Sequence, residues 1–156
     1  PVDVLINTVG GFTFGETVYQ LSSETWRNMM DLNVRSFINS AKVFVPGMIE
    51  KGGGKIVSIG ARASLKGGAK TGAYAAAKSA LLRLTESMAV ELKDHNIQVN
   101  CVLPSTIDGP GNRNSMPNAD FSKWVKPEEV AQVILYLSSQ ISDAITGAAV
   151  PVYGRN

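Results

Sequence analysis

The sequence is poor in metal ligands, in charge of either sign and in long apolar runs. Among 156 residues there is one cysteine, Cys101, and one histidine, His95, so neither an internal disulfide nor a cysteine–histidine metal site can be built. No metal is expected. Lys and Arg outnumber Asp and Glu only 15 to 13 and are scattered along the chain, which argues against a nucleic-acid partner. No apolar run approaches the roughly 20 residues of a membrane span, and no charged-then-apolar leader opens the chain. A cytoplasmic protein without a membrane partner is the expectation. Repeats and low-complexity tracts are absent too. What is present is a hydrophobic fraction of 44% against 18% charged residues, which excludes a disordered chain. A chain of this length buries roughly 70% of its unfolded surface, enough for one domain spanning 1–156.

Strand and helix patterns alternate. Val2-Asp3-Val4-Leu5-Ile6 reads as a buried strand ending at the breakers Gly10-Gly11. Ser22 or Ser23 can cap one helix running from about Glu24 to Met48, loosened by Pro46 and Gly47 and stopped by Gly52-Gly53-Gly54. Lys55 to Ile59 is a second strand, about Ala73 to Lys93 an Ala-rich helix, and Gln98 to Leu103 a third strand closed by Pro104. Ser105 to Lys126 is polar and turn-rich, a length that is more often functional than idle. Pro127 opens a third helix, and Ala148 to Tyr153 is the last strand. This order predicts an α/β fold with a parallel sheet and right-handed crossovers.

Tyr74 and Lys78 stand at i and i+4 near the start of the Ala-rich helix, on one face. A free tyrosine, with a pKa of about 10, is a poor acid–base catalyst at neutral pH. A neighbouring ammonium favours the phenolate, so Lys78 is expected to lower the Tyr74 pKa. Such a pair also arises by chance. Its context is a glycine-bearing loop after the first strand and Pro104 after the third, at the strand ends where open α/β sheets form their ligand crevice.

On these residues the chain resembles the C-terminal two-thirds of a short-chain dehydrogenase/reductase. Tyr74-Ala75-Ala76-Ala77-Lys78 is similar to that family's Tyr-x-x-x-Lys motif, and Asn7-Thr8-Val9-Gly10 to its Asn-Asn-Ala-Gly segment. Asn33 falls at the family's catalytic asparagine, and Val99 to Pro104 resembles the strand leading to its nicotinamide-side loop. The resemblance implies a Rossmann-type doubly wound sheet and NAD or NADP as cofactor. Tyr74, Lys78 and Asn33 would be catalytic, and Asn7, Gly10, Tyr74, Lys78, Pro104 and Ile107 would bind the cofactor. Two positions depart from the pattern: Ala61 replaces the family's serine, and Gly109 its threonine. Alanine cannot donate a hydrogen bond, and such a donor is worth about 3 kcal/mol to a transition state. Ser64 could substitute, although a surface-loop serine is the simpler reading. Alanine at this position also resembles the dihydropteridine reductases of the family, as does Gly60-Ala61-Arg62-Ala63-Ser64-Leu65.

The expected activity is hydride transfer from NAD(P)H to a carbonyl or imine substrate, with Tyr74 as acid/base. A quinonoid dihydropterin substrate and a non-catalytic binding or assembly module stay open as alternatives. Arg62 and Arg113 are candidate anchors for an anionic substrate group, with solvated loop arginines as the rival reading. No G-x-G-x-x-G precedes the first strand, so the family's N-terminal nucleotide-binding strands and helices are expected to be missing from this chain. One face of the first two strands is then expected to lack a helical cover. A homo-dimer or homo-tetramer is expected through the two long helices, with Leu81, Leu84, Met88 and Leu92 packing either between subunits or within one.

Overall fold

The computed structural model describes residues 2–155. Strands β1 (Val4–Asn7), β2 (Gly54–Ile59), β3 (Ile97–Pro104) and β4 (Ala149–Val152) form one sheet in the order β1-β2-β3-β4. All three pairings are parallel, with Leu5 opposite Ile56 and Ile56 opposite Val99. Because the order follows the chain, every crossover carries the next strand one place along the sheet, and all the carboxyl ends lie on one edge.

Ser22 caps α1 (Ser23–Met30), its hydroxyl accepting the Thr25 N–H. The single helix expected from Glu24 to Met48 is instead three segments: α1, a π turn at Asp31–Arg35, and α2 (Ser36–Lys51). The wide turn holds Asn33, whose Nδ2 donates to the Met29 carbonyl four residues back, which gives the inserted residue a physical cause. Gly52, with φ 86°, closes α2 in a left-handed conformation that favours glycine.

Both faces of the central strands β2 and β3 are covered. On one, Phe37 and Met48 of α2 and Leu81, Ala89 and Leu92 of α3 (Gly72–Leu92) pack on Ile56, Ile97 and Val99. On the other, Val130 and Leu137 of α5 (Pro127–Leu137) pack on Val57 and Val102. The expectation that this second face of the first two strands would be bare is therefore corrected for β2. Val57 is fully buried there, and only β1 keeps an exposed residue, Ile6, at 44%. Leu81 and Leu92 are buried in the core and the partly buried Leu84 and Met88 pack against it, so all four make contacts within the subunit. The side chains that α2 and α3 leave exposed are others, including Val43, Phe44 and Val90.

The long loop after β3 is partly structured. It carries the short α4 (Pro110–Ser115) and a 3-10 turn at Phe121–Lys123, and a bridge between Ile107 and Val125 draws it closed. Trp124 is buried there against Phe121, with ring centroids 4.8 Å apart.

Candidate active site

The carboxyl ends of β1, β2 and β3 open into a cleft of about 630 Å³, walled by the loops that follow them, the first turns of α3, and α4. This is the size and the place expected of a small-molecule site in an open α/β sheet. Of the residues singled out in the sequence, Gly10, Tyr74, Lys78, Pro104 and Ile107 line it, together with Ala61. Asn7 and Asn33 do not. Asn7 is buried with its Nδ2 unpartnered, and Asn33 lies fully buried behind the Gly10-Gly11 turn.

Asn33 grips that turn from behind. Its Oδ1 accepts the Gly11 N–H at 3.1 Å while its Nδ2 donates to the Gly11 carbonyl at 3.1 Å. At Gly10 a β-carbon would stand 2.9 Å from Asn33 Oδ1 and 3.1 Å from Lys78 Nζ, so the glycine backbone closes onto both polar groups.

Lys78 is buried, and its ammonium donates to the Ile59 carbonyl at 2.8 Å. Burial disfavours the charged form and pulls its pKa down to about 8. Tyr74 is half-buried, with the edge of Phe12 against its ring at 4.9 Å. Its pKa moves up, not down, because burial penalises the phenolate; this corrects the expected lowering by Lys78. At neutral pH Tyr74 is thus held as a proton donor.

Ala61 presents only a methyl group, and its N–H donates to Ser64 Oγ at 3.1 Å. Ser64 is buried rather than on a surface loop, and its hydroxyl is turned to that backbone instead of to the cleft. The two arginines part company. Arg113 forks onto Asp108 with contacts of 2.6 and 2.7 Å and lies over the Phe121 ring, whereas Arg62 stands on the cleft wall over the Tyr153 ring. Phe12 and Met116 also line the cleft. Phe12 was not singled out in the sequence, although its adjacency to Gly10-Gly11 is a signal, whereas Met116 belongs to the Ser105–Lys126 stretch whose length marks it as functional.

A second, shallow depression of about 240 Å³ lies at the opposite edge of the sheet, but its Lys51 and Lys55 are already paired with Asp3 and Asp143. Among the described residues no group of three His, Cys, Asp or Glu side chains could hold a metal ion, and no helix is long and apolar enough to cross a membrane.

A family model described as enoyl-(acyl carrier protein) reductase matches residues 1–154. The 3-oxoacyl-[acyl-carrier-protein] reductase FabG of Thermotoga maritima is 31% identical over 161 residues, covering 98% of this chain and 65% of the relative. Dehydrogenase/reductase SDR family member 4 of Bos taurus is 32% identical over 98% of this chain and 58% of its own length. The chain thus spans about three-fifths to two-thirds of these curated relatives. Among solved structures, a 3-oxoacyl-[acyl-carrier protein] reductase from Brucella melitensis with bound NAD superposes with a TM-score of 0.86 at 30% identity, covering 97% of this chain and 61% of that one.

Proposed function

Because the chain belongs to the short-chain dehydrogenase/reductase family, we propose that its cleft is the catalytic site of an NAD(P)H-dependent oxidoreductase acting on a carbonyl or imine substrate. One observation carries this reading: Tyr74 and Lys78 meet Gly10, Pro104 and Ile107 on a single cleft at the carboxyl ends of the strands.

The cleft fits the nicotinamide end of such a cofactor. The glycine backbone at position 10, which a β-carbon would obstruct, leaves room beside Lys78, and Pro104 and Ile107 offer an apolar wall. Gly10, Tyr74, Lys78, Pro104 and Ile107 would hold it. The reduced cofactor supplies a hydride to the substrate carbon when bound. Tyr74, kept protonated by its burial, gives its hydroxyl proton to the oxygen or nitrogen that takes up the electron pair. The buried Lys78 ammonium offsets the charge left on the phenolate. Asn33 acts one layer further back, holding the Gly10-Gly11 turn against the cleft. The Brucella melitensis relative carries NAD, which supports the cofactor class without choosing between NAD and NADP. The exposed faces of α2 and α3, with Val43, Phe44 and Val90, are the surfaces for a second copy of the chain.

Ala61 favours a second reading, a quinonoid dihydropterin substrate, whose conjugated ring system depends less on a hydroxyl donor at that position. Tyr74→Phe tests both, in the protein as the cell makes it. Turnover with NADH or NADPH should fall at least about 100-fold while cofactor affinity, read by fluorescence titration, stays within a few-fold. Equal turnover by the variant removes the acid/base assignment. Cofactor-independent binding of a partner, with no turnover by the wild type, would point to a module instead of an enzyme.

A further inference from the structure

Among the described residues, the charged side chains on the cleft wall are Arg62 and Lys78, and no Asp or Glu lines it. Lys78 is buried and engaged with the Ile59 carbonyl. Arg62 differs. Its side chain is exposed to the cleft, and among the described residues it makes no ion pair and no side-chain hydrogen bond. Its guanidinium carbon lies 5.2 Å from the Tyr153 ring centroid. A guanidinium held over an aromatic ring keeps its in-plane N–H donors available, and their fork matches a carboxylate. Arg113 cannot compete, because Asp108 already occupies its fork.

The neighbour of Arg62 sharpens the point. Ala61 brings no hydroxyl to orient a substrate carbonyl, so orientation has to come from another group on the substrate. The wall also carries the apolar side chains of Phe12, Ala63, Ile107 and Met116, with Phe12 edge-on to the Tyr74 ring, beside the uncharged polar Thr8, Ser105, Thr106 and Asn112. We propose that Arg62 is the substrate anchor, binding a carboxylate, so that the site takes 2-oxo acids, or the corresponding imino acids, with an apolar substituent. This rests on the oxidoreductase reading above. In the reaction the hydride reaches carbon 2, the Tyr74 proton reaches its oxygen, and the product is the 2-hydroxy acid; the carboxylate is bound but unchanged.

The test uses phenylpyruvate and its methyl ester, in the protein as the cell makes it, with NADH and with NADPH. The wild type should prefer the acid over the ester in kcat/KM by at least about 10-fold, which corresponds to about 1.4 kcal/mol. Arg62→Gln should bring that ratio to within about twofold through a rise in KM for the acid, and Arg62→Lys should restore part of it. Binding is read without turnover from the Arg62 Nε–Hε resonance of isotope-labelled protein, which should shift with the acid and not with the ester. Equal use of acid and ester by the wild type overturns the proposal. So does an Arg62→Gln variant that loses cofactor affinity while keeping the acid preference, since Arg62 would then serve a cofactor phosphate. An acid-specific shift without any turnover leaves the anchor standing and removes the oxidoreductase reading; turnover without that shift does the reverse.

Discussion

At the scale of single residues, Lys78 is where sequence and surroundings pull hardest against each other. Its side chain must cross apolar surroundings to reach the Ile59 carbonyl, and burial holds its pKa near 8 instead of the usual 10.5. Between those two values the unfolded chain binds the proton that the folded chain has released. The contribution of this group to stability therefore rises as the pH goes from about 8 to about 10.5, and its full penalty is present below 8. Urea denaturation across that range should show a rising component, on the order of 2–3 kcal/mol, that Lys78→Met lacks. The same titration predicts that reduction slows as the pH climbs through about 8, where the ammonium behind Tyr74 loses its charge. Parallel stability profiles for wild type and variant would show that Lys78 stays charged in the folded chain. The i, i+4 spacing of Tyr74 and Lys78 was legible because helix geometry alone brings them to one face. The direction of the Tyr74 pKa was not, since it depends on how much protein surrounds the ring.

Among the elements, the π turn between α1 and α2 links backbone geometry to the cleft. An extra residue in the helix places Asn33 where one amide reaches the Met29 carbonyl and both polar groups of Gly11. Asn33→Ala leaves those backbone groups short of partners in a place that is buried at Met29 and partly buried at Gly11. The expected cost is about 2–4 kcal/mol, measured as a lower urea midpoint with an unaltered m-value. Asn33→Asp keeps the acceptor for the Gly11 N–H but sets a buried carboxylate oxygen against the Gly11 and Met29 carbonyls, so it should cost at least as much as alanine. Wild-type stability in Asn33→Ala would mean that the turn holds itself without the amide. Apolar spacing at Trp26, Met29, Phe37, Ile38 and Ala41 spoke for one continuous helix, because a single inserted residue shifts the pattern too little to break it. The Gly11 groups that Asn33 also holds lie across the fold, in a loop 22 residues earlier.

For the molecule as a whole, the proposed reading has the described residues supply the nicotinamide side of a cofactor site, and among them no Gly-rich turn leading into a helix stands ready for a pyrophosphate. Losing the backbone N–H groups and dipole of such a helix end costs an estimated 3–4 kcal/mol of contacts, or roughly 100- to 1,000-fold in affinity. Calorimetric titration of the 156-residue chain alone should therefore give no micromolar binding of NADH or NADPH, and light scattering should show association through the exposed apolar side chains of α2, α3 and β1. A monodisperse monomer with micromolar affinity would mean that these residues suffice for the whole cofactor. The sequence by itself determined the strand–helix alternation, the stops at Gly52 and Pro104, and the Tyr74–Lys78 pair, because each rests on periodicity or spacing within a few turns of chain. Only the tertiary structure decided that α5 covers the second face of β2 and β3, that Asn33 stands behind Gly11, and that Arg62 is open while Arg113 is tied to Asp108. It also brought Phe12 and Met116 to the same cleft. Those outcomes depend on which distant segment each side chain meets, and contacts made across the sheet leave no periodic trace in the local sequence.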